Sequence, residues 1–132
     1  MARDDTPSTK PLLDKLGVKE RMRIAVLGLD DPAFVELLGT RTGDVYVDRR
    51  RVGLDQIYVR FDRREDLKRL HTHVRFIERN GSIWALWPKG TKGINDNDVR
   101  DAGLDAGLVD VKVVSFSSEL SGLKLVYRLK DR

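Results

Sequence analysis

Short apolar runs of the strand type alternate along this chain with stretches whose apolar residues recur at helical spacing. The clearest run, MRIAVL at 22–27, is interrupted only by Arg23, as expected for a strand that is covered on both faces. A glycine turn at Gly28 follows directly, and Asp31 is placed to cap a helix over 32–39. Strands that alternate with helices in this way predict an α/β sheet.

The remaining elements are predicted from the same signals. Four apolar residues between Leu67 and Ile77 recur at steps of 3, 4 and 3, which predicts one long helix with Asp62 as its N-cap and Asn80-Gly81 as its end. The other predicted elements are helices from Ser8 or Thr9 to Gly17 and from Asn95 to Ala106, the latter followed by Gly107 as its stop, and strands over 44–47, 56–61, 82–87, 111–116 and 123–129.

The last two strands are joined by only a few residues around Ser121-Gly122, which requires an antiparallel hairpin. We therefore predict a single Rossmann-like three-layer α/β domain. Its sheet is mostly parallel, with about six strands and an antiparallel C-terminal strand. The length of 132 residues fits one domain. Residues 1–9 are expected to form a flexible N-terminal segment, and residues 10–132 the domain.

Several segments resemble the class I fold of methyltransferases that use S-adenosylmethionine. LLDKLGVKERMRIAVLGLDDPAF, at 12–34, is similar to the first helix, strand and loop of that fold, and LDQIYVRFD, at 54–62, is similar to its fourth strand. GSIWALWPKG at 81–90, DAGLVDVKVVSF at 105–116 and SGLKLVYRL at 121–129 resemble the fifth strand and the terminal hairpin. The resemblance implies the strand order 2-1-3-4-6-5, numbered by position in this chain. The chain also resembles small bacterial proteins of this truncated type whose domain has no assigned function.

Two departures from the family pattern concern the cofactor site. Between the second and third predicted strands only 48–55 remain, where the family has two helices and another strand. This segment either crosses the sheet as an extended loop, or the short second strand pairs differently, for instance antiparallel. In addition, only Gly28 remains of the family's G-x-G-x-G turn. Asp30 and Asp31 therefore bring carboxylates to the place where the amino-acid part of S-adenosylmethionine would lie.

The resemblance implies roles for individual residues. Gly28, Asp30 and Asp31 would contact the cofactor, the two acids by meeting its ammonium group, although both acids suit helix caps equally well. Asp48 resembles the acid that holds the ribose hydroxyls, but an aspartate after a strand is also common turn chemistry. Asp62 follows the next strand, beside the switch point where open α/β sheets bind ligands, and its alternative role is the N-cap. S-adenosylmethionine is thus the candidate cofactor.

Composition excludes several other kinds of site. The chain has no cysteine, so it has no disulfide framework, thiolate zinc site or cysteine nucleophile. His71 and His73, the only histidines, would point about 200° apart on a helix, so they cannot share a metal ion. No apolar run approaches the roughly 20 residues of a membrane-spanning helix, and the first ten residues are polar. A cytoplasmic protein without a metal or a membrane partner is expected.

The net charge of +4 is unevenly distributed, because residues 49–79 contain 10 basic and 5 acidic side chains. The excess begins with Arg49-Arg50-Arg51 and ends at Arg79. Such a stretch suits a phosphate-bearing ligand or a nucleic acid. The alternative is an ordinary solvated helix surface.

Three functions are compatible with these features. The leading hypothesis is a binding or regulatory module on a reduced methyltransferase-like scaffold, because the cofactor glycines are incomplete and no general base or nucleophile stands out. The second is a minimal S-adenosylmethionine-dependent methyltransferase or nucleotide-binding enzyme. The third is nucleic-acid binding through the Arg49–Arg79 surface. A small-molecule ligand or a protein partner is expected, and the sequence leaves open whether any reaction is catalysed and what the oligomeric state is.

Overall fold

The computed structural model describes residues 11–132 and contains one mixed sheet of six strands. The strands are β1 (Arg23–Leu27), β2 (Asp44–Val47), β3 (Leu54–Arg60), β4 (Ile77–Pro88), β5 (Leu108–Ser115) and β6 (Leu120–Tyr127). Their order is β2-β1-β3-β4-β6-β5, with parallel pairing from β2 to β4 and antiparallel pairing of β6 with both β4 and β5. This arrangement confirms the predicted fold class and strand order.

Helices cover both faces of the sheet. They are α1 (Leu12–Leu16), α2 (Pro32–Gly39), α3 (Leu70–Val74) and α4 (Asp96–Asp105), with short 3-10 helices at Arg64–Arg69 and Leu129–Asp131. The first face carries α1 and α2, whose buried side chains pack with Ile24, Tyr58 and Trp84. The second face carries α3 and α4. The three-layer arrangement is therefore the one predicted.

The start of the first helix differs from the prediction. The proposed flexible segment 1–9, including the predicted caps Ser8 and Thr9, lies outside the described residues. Helix α1 begins at Leu12, because Pro11 has an extended backbone with ψ of 147° and occupies the N-cap position. Gly17 ends the helix in the left-handed conformation, as predicted.

Trp84 and Trp87 lie on opposite faces of β4, as their odd spacing predicts. Trp84 is fully buried on the first face and stacks parallel to Tyr58, with 6.5 Å between ring centroids. Its indole N–H donates to the Leu16 carbonyl at 3.2 Å, so this helix end is fixed to the centre of the sheet.

The predicted helix from Asp62 to Asn80-Gly81 is wrong. The segment instead forms the 3-10 helix, then α3, and then the first residues of the long strand β4. This strand begins at Ile77, which pairs with Leu54 of β3. Ile77 satisfies a helical stripe and a strand core position equally well, and pairing with β3 decides between them. Arg63, not Asp62, stands at the N-cap position, and its side chain makes no capping bond.

Gly81 marks an irregularity within β4 instead of a helix end. The register shifts here, since Leu54 pairs with Ile77 while Gln56 pairs with Ser82. A Cβ atom on Gly81 would lie only 2.9 Å from the Asp55 carbonyl oxygen. The glycine is therefore required by the close approach of two backbones.

The short connection after β2 is an irregular loop over 48–53 that passes over the second face, where Arg50 lies over the Phe76 ring. Strand β2 pairs parallel to β1, with Ala25 opposite Tyr46 and Val26 opposite Val47. The chain must therefore return from the carboxyl end of the strands to their amino end before β3 begins.

Strands β5 and β6 each begin three residues earlier than predicted, at Leu108 and Leu120. The capping box at Asn95 and the left-handed Gly107 confirm the predicted ends of the α4 region.

Candidate ligand site

The turn after β1 is fixed by two local features. Gly28 has a positive φ of 65°, a conformation that a glycine adopts without strain. Asp31 caps α2, because its Oδ1 atom accepts a hydrogen bond from the Phe34 N–H at 3.0 Å, with Pro32 at the first helical position. The predicted cap is confirmed, so Oδ1 of Asp31 is already engaged in a hydrogen bond that caps α2.

Asp48 ties the end of β2 to this turn. Its backbone is left-handed, with φ of 54°, and its N–H donates to the Val26 carbonyl at 2.8 Å. Its Oδ1 atom accepts from the Gly28 N–H at 3.0 Å, a bond between positions 20 residues apart. The other carboxylate oxygen, Oδ2, accepts no hydrogen bond from residues 11–132, and the side chain is exposed.

A cleft of about 620 Å³ opens between these two segments at the carboxyl edge of the sheet. This volume lies within the range of small-molecule sites in proteins. The structure brings together four of the five residues predicted from sequence. The cleft is lined by Gly28, Leu29, Asp30, Asp31, Pro32, Val35, Glu36, Val47 and Asp48.

The polar side chains of the described cleft are all acidic. Asp30, Asp31, Glu36 and Asp48 contribute four carboxylates, and no lysine, arginine or histidine of residues 11–132 lines the cleft. The hydrophobic part of its wall includes Pro32 and Val35. The cleft therefore suits a ligand with positive charge and hydroxyl groups.

The N-terminus of α2 offers little to a phosphate. Pro32 has no N–H, and the N–H groups of Phe34 and Val35 both donate to Asp31. An anion at a helix N-terminus depends on free N–H groups. Both the capping and the acidic lining therefore disfavour a nucleotide phosphate at this position.

Asp62 is not among the residues that line the cleft. It is exposed after β3, and its Oδ1 atom accepts from Arg60 Nε at 2.8 Å. Glu36 was not singled out from the sequence. Helical spacing could have identified Glu36, because positions 32, 35 and 36 lie on one face of the helix that follows the turn.

Eight of the ten basic residues in the stretch 49–79 fall into two sets in the structure. Arg60, Arg63 and Arg64 pair with neighbouring carboxylates, Arg64 with Asp98 at 3.3 Å. A second set belongs to no ion pair within residues 11–132, and its guanidinium groups lie over aromatic rings instead. We call this set the basic surface: Arg49, Arg50, Arg51, Arg75 and Arg79.

His73 lies beneath this surface and is 9% exposed. Burial, the charge of Arg50 and the nearby His71 lower the pKa of His73 from 6.5 to about 4. The ring is therefore neutral at pH 7, and its Nδ1 atom lies 3.4 Å from Arg50 Nη1. A neutral imidazole is compatible with the guanidinium beside it.

A second cavity, of about 440 Å³, lies between α4 and the segment 64–71. Arg64, Lys68 and His71 line one side, while Asp98 and two further aspartates of α4 line the other. The two sides already neutralise each other, as the Arg64–Asp98 pair shows.

No helix of residues 11–132 is long and apolar enough to span a membrane.

Solved structures share this fold, although no protein-family model matches the chain and no curated protein matches it significantly. A SAM dependent methyltransferase from Aquifex aeolicus matches with a TM-score of 0.66 and 17% identity, over 86% of each chain. Magnesium protoporphyrin IX methyltransferase from Synechocystis PCC 6803, with bound SAH, gives 0.65 and 8%, over 88% of this chain and 78% of that one.

The fibrillarin pre-rRNA processing protein of Methanococcus jannaschii gives a TM-score of 0.62 and 11% identity, over 83% of this chain and 68% of that chain. At such identities the likeness establishes the fold. The chain therefore has the α/β fold of class I S-adenosylmethionine-dependent methyltransferases, in a 132-residue form. The resemblance predicted from sequence is confirmed at that level.

Proposed function

We propose that this protein is a binding module that holds a cationic nucleoside of the S-adenosylmethionine class in the Gly28–Asp48 cleft and does not transfer its methyl group. The observation that carries the proposal is the acidic cleft itself, formed where Asp48 is fixed against the Gly28 turn. A protein of the same fold, magnesium protoporphyrin IX methyltransferase, holds SAH. Fold alone does not assign a ligand, so the chemistry of the cleft carries the argument.

The carboxylates present fit the polar groups of S-adenosylmethionine. The Oδ2 atom of Asp48 is available to accept hydrogen bonds from ribose hydroxyls, since Oδ1 is already used by Gly28. Asp30 is exposed beside the turn, in position to meet the ammonium or sulfonium charge. When bound, the ligand would donate hydrogen bonds from its hydroxyl groups to Asp48, and its positive charge would be attracted to Asp30.

The same cleft disfavours the nucleotide-binding alternative. A triphosphate would face four carboxylates and a helix N-terminus whose N–H groups at 34 and 35 are already bonded. Like charges at short range repel by about 1 kcal/mol per pair even in water. The proposal therefore selects a cationic nucleoside over a phosphorylated one.

Two features favour binding without methyl transfer. The cleft contains no imidazole, amine, phenol or thiol among residues 11–132, so carboxylates are the only groups able to take a proton. Gly28, Asp30 and Asp48 are all exposed, and the loop 48–53 is too short to cover the cleft as the family's extra helices would. Water therefore reaches the place where a reaction would occur.

Calorimetric titration with S-adenosylmethionine tests the binding site. We expect Asp48→Asn to lower the affinity about tenfold, because a charge-assisted hydrogen bond is lost, and Asp30→Asn to lower it about fivefold through lost Coulomb attraction. Asp44→Asn is the matched control, since it removes the same charge at the opposite end of β2. An equal loss in the control would contradict a site in the cleft.

Methyl transfer is tested separately, by mass spectrometry of the ligand recovered from the loaded protein. After hours of incubation with cell extract as a source of methyl acceptors, the expected result is no more S-adenosylhomocysteine than the extract forms without the protein. Formation of S-adenosylhomocysteine that Asp48→Asn abolishes would support the alternative, a minimal methyltransferase.

A further inference from the structure

The basic surface brings together arginines from two separate segments of the chain. Arg49, Arg50 and Arg51 come from the loop after β2, Arg75 directly follows α3, and Arg79 lies near the start of β4. The Arg50 Nη1 atom donates to the Thr72 carbonyl at 3.1 Å, which joins the two segments. All five side chains are cationic, and none has a carboxylate partner within residues 11–132.

Aromatic rings hold these guanidinium groups in place. Arg49 and Arg51 lie 5.4 and 5.6 Å from the centroid of the Tyr46 ring, and Arg51 also donates to the Tyr46 hydroxyl. Arg50 and Arg75 lie 4.5 and 5.0 Å from the centroid of Phe76. The fifth arginine, at 79, lies over Tyr127. Stacking orients the groups but leaves their charge unneutralised, so little side-chain entropy is lost when an anion binds.

The shape of the surface points to phosphate groups along an extended polymer. A depression of about 350 Å³ is lined by Tyr46, Val52 and the three consecutive arginines, and it is large enough for a phosphate. Two further guanidinium groups lie beyond it, around Phe76 and Tyr127. Five unpaired cations over two segments exceed the need of one phosphate and match a row of them.

The rings are not available for base stacking, because guanidinium groups already cover them. Single-stranded nucleic acid is bound largely through such stacking, whereas the backbone of a duplex requires only phosphate contacts. We propose that the basic surface binds the phosphate backbone of a nucleic-acid duplex without regard to sequence. This site shares no lining residue with the acidic cleft, which has the opposite charge.

Binding to a fluorescein-labelled DNA duplex of 20 base pairs, measured by anisotropy over a range of salt concentrations, tests this proposal. The test variant is Arg49→Gln/Arg75→Gln, since the described residues accept no hydrogen bond from either side chain. The matched control is Arg63→Gln/Arg64→Gln, which removes two arginines of the same stretch that are paired with acids. Both variants reduce the net charge equally.

We expect the wild-type protein to bind the duplex and the test variant to bind more weakly. The slope of log affinity against log salt should decrease by about 1.8 in the test variant, or roughly 0.9 per lost phosphate contact. The control should keep the wild-type slope. Absence of binding to the duplex at 50 mM salt, an equal loss in the control, or tighter binding to the separated single strands would each overturn the proposal.

Discussion

The Gly28 N–H donates to Asp48 Oδ1 at 3.0 Å and joins the turn after β1 to the end of β2. One carboxylate oxygen therefore joins both walls of the acidic cleft, and the second accepts no hydrogen bond from residues 11–132. Under the proposed function, Asp48 affects stability through Oδ1 and ligand binding through Oδ2. Substitutions at Asp48 consequently separate the two effects.

Asp48→Ala should lower the free energy of unfolding by about 1 to 3 kcal/mol, through the lost hydrogen bond and the left-handed backbone. Asp48→Asn should cost less than about 1 kcal/mol, because asparagine accepts the same bond and tolerates that backbone. Urea unfolding of both variants checks this. Equal losses would mean that the Gly28 bond does not stabilise the fold.

Gly81→Ala should destabilise the protein by about 2 kcal/mol or more, since its Cβ would lie 2.9 Å from a backbone oxygen that cannot move aside. Gly39→Ala is the matched control. It has no atom within 4 Å of its Cβ position, and as a helical residue it should gain up to about 1 kcal/mol. Thermal unfolding of the two variants distinguishes the effects. A neutral Gly81→Ala would show that β3 and β4 separate freely at this point.

The positions of most strands and the Asp31 cap are predictable from sequence because the apolar runs and the capping signals are local, whereas the strand order is predicted only through the resemblance to methyltransferases. The site is only partly predictable. The Asp48–Gly28 bond depends on the β1–β2 register, which sets Val26 opposite Val47, and no local signal fixes that register. The helical interpretation of Ile77 failed because its pattern suits two structures, and pairing with a distant strand selects one.

The neutral state of His73 makes stability depend on pH. Its pKa is about 4 in the folded protein and 6.5 when unperturbed, so the unfolded chain binds more protons between these values. The free energy of unfolding should therefore fall as the pH decreases from about 6.5 to about 4, by on the order of 2 kcal/mol. His73→Gln should remove this component, and the exposed His71→Gln should retain it. Identical pH profiles for both variants would contradict the assignment.

A buried polar group joins α1 to the sheet through the Leu16 carbonyl. Gln56 Nε2 donates to that carbonyl at 2.9 Å, and the Tyr58 hydroxyl donates to Gln56 Oε1 at 2.6 Å. Burial raises the pKa of Tyr58 well above its usual value, so the phenol remains protonated. The tyrosine hydroxyl thus depends on Gln56 as its acceptor.

Gln56→Leu should cost about 1 to 3 kcal/mol of stability, because it leaves the Tyr58 hydroxyl without an acceptor. Adding Tyr58→Phe should cost less in this background than in the wild type, by about 1 kcal/mol, since both partners are then absent. Chemical denaturation of the four proteins in the cycle measures the coupling. Strict additivity would show that the two side chains do not interact.

The central claim is that the cleft recognises positive charge on a nucleoside. Calorimetric titration of the wild-type protein with S-adenosylmethionine, S-adenosylhomocysteine and ATP tests it most directly. The account predicts that S-adenosylmethionine binds most tightly, that S-adenosylhomocysteine binds more weakly because it lacks the sulfonium charge, and that ATP does not bind. Absence of heat with S-adenosylmethionine up to about millimolar concentration, or tighter binding of ATP, would contradict it.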